Sequence, residues 1–550
     1  MSFVLLICEN QIKIWLVNFH LFPKHRTTMS LGKTYFRYVQ RSTCGVVTSP
    51  GVNILYDSTG QLAITGALEQ SLAWSIRTGE RLHLCRPTST STRGHAIPGT
   101  QATVQARSPS LTQQNRIAVG YEDGGVRIYE LQSQGISAVS GECRQVAHFP
   151  AHRAAVRSIA YDRHGALLAS GGADCDIVIW DLTAETGLFR LRGHRDAVTQ
   201  LQFLGTNNEK LLSGSKDTLL KVWDMEQQRC METIVGHRAE VWDFAVTPDE
   251  TRLVTISSAS DMKVWRLNVN PEDDNDTSRR SSSNNDVEDM ETEKKGDSTE
   301  QGHLTLMGPI RRVGTERGVA VKFSDNGTFM GCHGTGKTLE IYKRRTNIEI
   351  LKKIKRRLKR LREKKRKTEV AAGNEADAPN EDETDELSLD NATTTDEFAL
   401  LGTIRCVAKV QAFDFAPSKT SGTGTGTGTG GKSDTLQKLR ILVSLINNTV
   451  QEYTMDLTSK LVKKGAAPSE LTHRLELQGH RGDVRAVAIS SSDDLVASVS
   501  RKMLKVWNAR TSTCVRSTDV GYGLCVAFVP GDQHIICGTK EGKICLVSVR

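Results

Sequence analysis

The sequence predicts an all-β fold, a β-propeller, and three observations support this prediction. His152, His194 and His237 recur at intervals of 42 and 43 residues, and a tryptophan follows each of them after 28 or 29 residues. The intervals contain short runs of alternating apolar residues bounded by turn residues, which is the spacing of strands rather than helices. A period of about 40 to 45 residues with Gly-His and Trp-Asp dipeptides is typical of the four-stranded blades of a WD-repeat propeller.

The repeat extends well beyond these three units. Weaker units end at Trp74, Tyr129 and Tyr342, which take the position of the third-strand aromatic residue, and a further unit ends in RILVSLINNTVQEYTMDL. Two more units follow, GHRGDV to KVWNA and GLCVAF to ICLVSV. Nine units exceed one ring of four to eight blades. We therefore predict one seven-bladed ring followed by the first two blades of a second ring.

The composition divides the chain into three parts with inserts. We expect residues 1–28 to be a non-domain extension, residues 29–460 to form the first ring, and residues 461–550 to form the first blades of an incomplete second ring. Three inserts interrupt the first ring. They are a disordered acidic and Ser-rich spacer between blades at 269–302, a basic helix with an acidic tail at 346–400, and a Gly/Thr low-complexity segment at 418–436.

The clearest units share a His, a Ser or Thr, an Asp and a Trp at the spacing of the hydrogen-bonded set of a WD blade. A buried carboxylate is tolerated only when several donors satisfy it, and an imidazole and turn amides supply them. The same residue types occur in catalytic sites, but a catalytic site occurs once whereas this set repeats, so we predict a structural role. The set comprises His152, Ser170, Asp174, Trp180, His194, Ser213, Asp217, Trp223, His237, Thr255 and Trp265.

The third unit departs from this pattern. Ala259 stands where the other two units have an aspartate. We therefore predict a less rigid turn at this position.

Two strings match the phosphate-loop pattern G-x-x-x-x-G-K-[ST], at residues 331–338 and 426–433. A nucleotide-binding loop of this kind leaves a strand and opens directly into a helix. The first string is flanked by the strand-like TFMGC and TLEIY, which predicts a hairpin turn, and the second lies in the Gly/Thr run. We favour a protein that is not an enzyme and expect no catalytic, cofactor or metal site; a nucleotide hydrolase is the rival class.

The formal net charge of +9 is concentrated in one segment. Between residues 343 and 367, fifteen Lys or Arg residues stand against two glutamates, and residues 368–400 then contain eleven acids and no Lys or Arg. Helical spacing within the basic segment predicts an apolar stripe along one face of a helix. The stripe consists of Leu351, Ile354, Leu358 and Leu361.

The basic helix has two interpretations. In one, the stripe packs on the ring and the cations are partly neutralised by the acidic tail. In the other, which we favour, the cations contact nucleic-acid phosphates or form a nuclear import signal. The segment contains no aromatic residue and so lacks a stacking platform for single-stranded bases. The candidate residues are Lys352, Lys353, Lys355, Arg356, Arg357, Lys359, Arg360, Arg362, Lys364, Lys365, Arg366 and Lys367.

Twelve cysteines are scattered singly along the chain without a C-x-x-C pair. This distribution indicates a reducing compartment, the cytosol or the nucleus. No segment has the length and hydropathy that a membrane span requires, so we expect no membrane partner.

An ordered series of strings resembles the family of WD-repeat protein three, also called U-three protein twelve, a UTP-B subunit of the small-subunit processome. The strings include KTYFRYV, AVGYEDGGVRIYEL, GSKDTLLKVWD, the HGT turn at His333 and FVPGDQHIICGTKEGKICLV. The resemblance extends from Met29 to Arg550. Because GH and WD strings occur in all WD proteins, its specificity lies in their order and in the shared Lys-rich insert after Tyr342.

The resemblance implies a non-enzymatic scaffold of the nucleus and nucleolus that supports U-three small nucleolar RNA-guided processing of pre-ribosomal RNA and 18S maturation. It implies other UTP-B propeller proteins, U-three small nucleolar RNA and pre-ribosomal RNA as partners, with no small-molecule substrate. Members of the family carry two rings and a helical C-terminal domain, so the chain is expected to be C-terminally truncated. The alternative function is a generic WD-repeat adaptor for protein interactions.

Overall fold

Four-stranded antiparallel sheets, here called blades, follow one another along the chain, as the period predicts. The computed structural model describes residues 3–8, 11–17, 38–87, 100–109, 116–131, 143–268, 303–371, 392–417, 438–457 and 467–549. The predicted inserts at 269–302 and 418–436 lie outside these residues. The WD-repeat β-propeller predicted from the sequence is confirmed.

Strands β1 to β3 form an N-terminal sheet, and blades 1 to 3 follow it. The N-terminal sheet contains β1 (Phe3–Cys8), β2 (Gln11–Val17) and β3 (Tyr38–Thr43). Blade 1 contains β4 (Ile54–Tyr56), β5 (Leu62–Ala67), β6 (Gln70–Ser75) and β7 (Arg81–Cys85). Blade 2 contains β8 (Ala102–Arg107), β9 (Arg116–Tyr121), β10 (Gly125–Glu130) and β11 (Arg144–Pro150). Blade 3 contains β12 (Val156–Tyr161), β13 (Leu167–Gly172), β14 (Ile177–Asp181) and β15 (Thr186–Leu191).

Blades 4 to 6 include the two described helices. Blade 4 contains β16 (Val198–Leu204), β17 (Lys210–Ser215), β18 (Leu219–Asp224) and β19 (Arg229–Val235). Blade 5 contains β20 (Val241–Val246), β21 (Arg252–Ser257), β22 (Met262–Leu267) and β23 (Leu304–Ile310). Blade 6 contains β24 (Gly318–Phe323), β25 (Phe329–Gly334), β26 (Thr338–Arg344), the helices α1 (Asn347–Ala371) and α2 (Thr394–Glu397), and β27 (Phe398–Arg405).

The remaining strands form blades 7 to 9. Blade 7 contains β28 (Val410–Phe415), β29 (Lys438–Leu445), β30 (Thr449–Asp456) and β31 (Ser469–Leu475). Blade 8 contains β32 (Ala486–Ile489), β33 (Leu495–Val499), β34 (Met503–Asn508) and β35 (Cys514–Asp519). In blade 9 the described strands are β36 (Gly523–Phe528), β37 (His534–Thr539) and β38 (Ile544–Ser548).

Blades 1 to 7 close into a ring. The first strands of successive blades contact one another, and the cycle is completed by β28 of blade 7 against β4 of blade 1. The hydrophobic core lies between blades, where buried residues of neighbouring sheets form shared clusters. Ile177 and Ile179 of blade 3, for example, share one cluster with Val198 and Trp223 of blade 4.

Two predicted boundaries of the first ring are wrong. Strand β31 pairs with β30 and so belongs to blade 7, although it lies beyond residue 460. Strand β3 pairs with β2 in the N-terminal sheet and not with a blade of the ring, although residue 29 was expected to begin the ring. The reason is that the sequence signature ends at the third strand of each blade, whereas the outer fourth strand carries none.

Two further expectations also need correction. Residues 3–8 and 11–17 were expected to be a non-domain extension but form β1 and β2, and β1 contacts β32 of blade 8. Residues 269–302 were expected to separate two blades. Strands β22 and β23 on either side of that segment pair with each other, so it interrupts blade 5 instead.

Candidate functional site

The His, Ser, Asp and Trp side chains of blade 3 form one hydrogen-bonded chain. His152 Nδ1 lies 2.9 Å from Asp174 Oδ1, His152 Nε2 lies 2.9 Å from Ser170 Oγ, and Trp180 Nε1 donates to the same Oγ at 3.0 Å. A carboxylate only accepts, so Nδ1 carries the proton and Nε2 accepts from the serine hydroxyl. This series of hydrogen bonds links the turn to the second and third strands of the blade.

Blade 4 repeats this arrangement with similar distances. His194 Nδ1 lies 2.8 Å from Asp217 Oδ2, and His194 Nε2 lies 2.7 Å from Ser213 Oγ, to which Trp223 Nε1 donates at 2.8 Å. Burial acts to raise the pKa of Asp217. The hydrogen bonds from His194 and from the amides of Arg195 and Leu219 outweigh it and hold this pKa at about 2. The carboxylate therefore serves as an acceptor for several donors at once.

These sets offer no nucleophile to a substrate. The side chains of Ser170, Ser213 and Thr255 belong to residues with 0% relative exposure. A nucleophile must reach the reacting atom within about 3 Å, which a hydroxyl enclosed between sheets cannot do. The arrangement instead stabilises one corner of a blade, where the turn meets the second and third strands.

Blade 5 keeps the set without its carboxylate. His237 Nε2 lies 2.8 Å from Thr255 Oγ1, and Trp265 Nε1 donates to that oxygen at 3.0 Å. The turn around Ala259 differs from its counterparts, because Cys175 and Thr218 have positive φ after their aspartates and Ser260 does not. Burial, followed by the charge of Lys263, lowers the pKa of His237 to about 4. The imidazole of His237 is therefore neutral at physiological pH.

A fourth set lies in blade 8 and was missed. His480 Nε2 lies 2.7 Å from Ser498 Oγ, Trp507 Nε1 donates to that oxygen at 2.8 Å, and His480 Nδ1 lies 2.9 Å from Ser500 Oγ. The signal was present, because His480 precedes Trp507 by 27 residues and follows a glycine. It was missed because it lies outside the run of three successive units and its spacing from His to Trp is 27 residues rather than 28 or 29. Burial, followed by the charges of Lys505 and Arg481, lowers the pKa of His480 to about 4.

Blade 6 fills the same corner with other residues. Glu340 is 1% exposed and accepts from Tyr342 Oη at 2.7 Å and from the amides of Val313 and Gly314 at 3.1 and 2.9 Å. Arg312 Nε lies 3.9 Å from Glu340 Oε1. A buried carboxylate is thus satisfied by donors in this blade too, although no His–Trp pair is present there.

The string at 331–338 lies in a hairpin. It starts inside β25, turns after Gly334 and continues into β26 at Thr338, and the two strands pair with each other. A strand rather than a helix follows Lys337, so the amides of a helix N-terminus are missing where phosphates would bind. The string at 426–433 lies outside the described residues.

Helix α1 begins where the sequence carries a helix-start signal. The Thr346 amide donates to Glu349 Oε2 at 3.2 Å, which is one of the two bonds of a capping box, and the Ile350 amide donates to the Thr346 carbonyl at 2.9 Å as the first helical bond. Its 25 residues give a length of about 37 Å at 1.5 Å per residue. The interpretation of a packed apolar stripe is partly met, because Ile354 is 0% exposed.

The stripe itself is shifted from the predicted one. Ile350 is 3% exposed, whereas Leu351 and Leu358 are only half-buried, and the side chain of Leu361 lies outside the described part of the helix. Burial is greatest over the first two turns of the helix, where Ile350 and Ile354 are one turn apart.

The end of the acidic tail holds the base of α1. Arg357 forms an ion pair with Asp396 and donates to Thr393 Oγ1 at 2.7 Å. Arg345 donates to the backbone carbonyl of Asp396 at 2.7 Å. Glu397, 1% exposed, accepts from Arg252 at 2.9 Å and from Arg344 at 3.0 Å. Partial neutralisation by the tail is therefore present at this end of the helix.

Five of the cations of α1 whose side chains the structure describes are exposed to solvent. The structure divides the candidate residues into two groups, because Lys353 and Arg357 are half-buried near Asp396 whereas a second group is exposed. Its members recur at intervals of three and four residues and so share one helix face, here called the basic face. The basic face consists of Lys352, Lys355, Arg356, Lys359 and Arg360. For the candidates Arg362, Lys364, Lys365, Arg366 and Lys367, only the helical backbone is described.

The described residues contain no group of three or more His, Cys, Asp or Glu side chains placed to hold a metal ion. Neither described helix is long and apolar enough to cross a membrane.

Comparison with known proteins identifies related propellers. Residues 61–267 match the family of the WDR3 first beta-propeller domain, and residues 471–508 match the WD domain, G-beta repeat. U3 small nucleolar RNA-associated protein 12 of Saccharomyces cerevisiae is 29% identical over 530 residues, which cover 93% of this chain and 48% of the yeast protein. WD repeat-containing protein 3 is 32% identical in Mus musculus and 33% identical in Homo sapiens, in each case over 43% of this chain and 22% of the relative. The chain spans about half the length of the yeast relative, and its matches to the two mammalian relatives cover 22% of each of them.

Proposed function

Because the chain belongs to the family of WD repeat-containing protein 3 and U3 small nucleolar RNA-associated protein 12, we propose that it is a non-enzymatic scaffold of ribosome biogenesis. In this proposal it is a UTP-B component of the small-subunit processome that supports U3 small nucleolar RNA-guided processing of pre-ribosomal RNA and maturation of 18S RNA. Its partners would be other UTP-B propeller proteins, U3 small nucleolar RNA and pre-ribosomal RNA, and its location the nucleolus.

One observation carries the proposal. The alignment with the yeast protein, whose name states an association with U3 small nucleolar RNA, runs through 93% of this chain. An alignment of this extent spans more than the seven blades of the first ring. A generic propeller shares its repeats with many proteins, but not a continuous alignment of this length.

The basic face of α1 supports an RNA environment. Five exposed cations on one face of a helix can contact successive phosphates, and such contacts release counterions and bind without reading sequence. Because α1 is held at its base by Asp396, this face is presented in a defined orientation. We propose that α1 contacts the phosphates of structured RNA.

A scaffold role without catalysis is supported by the burial of the recurring hydroxyls and by the hairpin at 331–338. The proposal contains no nucleotide-dependent step. Purified protein is expected to leave ATP and GTP intact.

A tagged chain recovered from cells, followed by sequencing of the bound RNA, tests the proposal. We expect enrichment of U3 small nucleolar RNA and of the pre-ribosomal spacer over a chain that lacks residues 347–371, together with a nucleolar signal of the tag. Recovery of protein partners without either RNA would contradict the processome role and favour a generic adaptor.

A further inference from the structure

Trp242 stands between two cations on one face of the ring. It is the second residue of β20, and its Nε1 donates to Ser258 Oγ at 2.8 Å, which holds the indole in one orientation. Lys216 Nζ lies 4.6 Å and Arg317 Cζ lies 4.8 Å from the centroid of the ring. Both distances are within the range of cation–π attraction.

The three side chains come from three blades. Lys216 follows β17 of blade 4, Trp242 lies in blade 5, and Arg317 precedes β24 of blade 6. In the part of the chain that the structure describes, neither Lys216 nor Arg317 forms an ion pair with a carboxylate. Their charges are therefore available to a ligand.

The same place in the fold carries a second aromatic–arginine pair with the positions exchanged. Arg485 directly precedes β32 of blade 8 and Tyr522 directly precedes β36 of blade 9, and Arg485 Cζ lies 5.9 Å from the centroid of the tyrosine ring. Lys540 follows β37 as Lys216 follows β17, and its Nζ lies 5.4 Å from that centroid. An aromatic ring, an arginine and a lysine thus meet twice at the same end of the blades, the first time across three blades and the second time across two.

The position of these clusters is opposite to that of α1. In an antiparallel blade, the turn between the second and third strands and the entry to the first strand lie at one end of the sheet, and the connection between the third and fourth strands lies at the other. Lys216, Trp242 and Arg317 belong to the first end. Helix α1 joins β26 to β27 and belongs to the second.

We propose that the corner formed by Lys216, Trp242 and Arg317 is a binding site for single-stranded RNA. A base would take the place of one of the two cations on the indole, and the flanking phosphates would meet the lysine and the arginine. This site supplies the stacking platform that α1 lacks. An acidic peptide would use the two charges but has no group that requires the aromatic ring. The choice of RNA over such a peptide rests on the proposed function.

The test measures binding of the full chain to a labelled single-stranded RNA without self-complementarity and to the matching duplex. Trp242→Ala is expected to weaken single-strand binding about tenfold or more, the usual effect of losing one stacking contact, and to leave duplex binding unchanged. Trp242→Phe is expected to retain most of the affinity because phenylalanine still stacks. Lys216→Gln and Arg317→Gln are each expected to lower the slope of log affinity against log salt by about 1.

Arg229→Gln is the matched control, because Arg229 is exposed at the start of β19 on the opposite face of blade 4. The proposal fails if Trp242→Ala binds the single strand like the parent, or weakens both RNAs equally. It also fails if oligoglutamate of the same charge displaces the RNA as well as unlabelled RNA does, which would make the corner a protein-docking surface. If Trp242→Ala does not fold, the salt slopes of Lys216→Gln and Arg317→Gln test the site instead, and slopes equal to that of the parent would contradict the proposal.

Failure of this site and failure of the proposed function can be told apart. If the site fails and the proposed function holds, Trp242→Ala binds the single strand like the parent while the parent chain still recovers U3 small nucleolar RNA from cells. Conversely, a chain that recovers neither RNA from cells but shows the Trp242 effect in vitro would retain the binding site without the processome role.

Discussion

Two of the four buried corner histidines lack a carboxylate partner. His237 and His480 each contact a hydroxyl but have a pKa of about 4, because burial and nearby cations disfavour the imidazolium. An unfolded histidine has a pKa near 6.5, so between about pH 6.5 and 4 the unfolded chain binds more protons than the folded one. Stability is therefore fully present above pH 6.5 and falls as the pH is lowered through this window.

We predict that His237→Gln reduces this pH dependence. Glutamine can still hydrogen-bond to Thr255 but does not titrate, so the variant loses less stability than the parent between pH 7 and pH 5. The difference amounts to at most about 1.4 kcal/mol per pH unit, the value for one proton. Urea unfolding at both pH values measures it. His164→Gln, at an exposed position, is the control, and a parental slope in His237→Gln would refute the assignment.

At the scale of elements, α1 is the largest departure from the blade pattern. Its first turns are buried through Ile350 and Ile354, and its base is held by the ion pair of Arg357 with Asp396. This attachment decides which cations can meet a partner. The helix is therefore a fixed arm on the ring rather than an evenly charged linker.

We predict that Lys355→Gln combined with Arg356→Gln weakens binding to duplex RNA. Removing two exposed cations of the basic face deletes up to two phosphate contacts, so affinity falls several-fold and the salt slope decreases by up to about 2. Fluorescence anisotropy over a salt series measures both. The control is Arg77→Gln with Arg81→Gln, an exposed pair on blade 1. Equal losses in the two double variants would show that only net charge matters.

At the scale of the whole molecule, the ring depends on a seam between residues far apart in sequence. Asn448 of blade 7 accepts from the amides of Val47 and Thr48 at 2.7 and 3.1 Å and donates to the Gly45 carbonyl at 2.8 Å. Tyr56 Oη donates to the buried Glu452 at 2.8 Å. These bonds join blade 7 to the segment that leads into blade 1, and long-range closure of this kind is costly in chain entropy.

We predict that Asn448→Gly loosens the seam. Asn448 has φ +61°, a conformation that glycine adopts without strain. The variant therefore removes three hydrogen bonds without changing the backbone conformation. The expected loss is about 1.5–4 kcal/mol of unfolding free energy, with faster amide exchange at Val47 and Thr48. Asn208→Gly, at φ +60° with one hydrogen bond to Asp162, is the matched control. Unchanged exchange at Val47 would contradict the seam.

Much of the fold was predictable because the residues that form the buried contacts of each blade recur at a regular spacing in the sequence. The spacing of His152, His194 and His237 predicted the blades, and the hairpin at 331–338 followed from the strand-like residues around it. The set of His480 was missed because it lies apart from the three successive units whose regular interval identified the others. The fourth strands were misplaced because an outer strand alternates weakly and has no fixed residue.

The sequence by itself determined the architecture, the structural role of the repeated polar sets and the existence of a basic helix, because these depend on local periodicity and on residue type. Only the tertiary structure decided where the ring closes, which cations of α1 are occupied by Asp396, and that Trp242 lies between Lys216 and Arg317. The physical reason is that closure, ion pairing and stacking join residues from different blades. Their distances are set by how the sheets pack and not by any spacing along the chain.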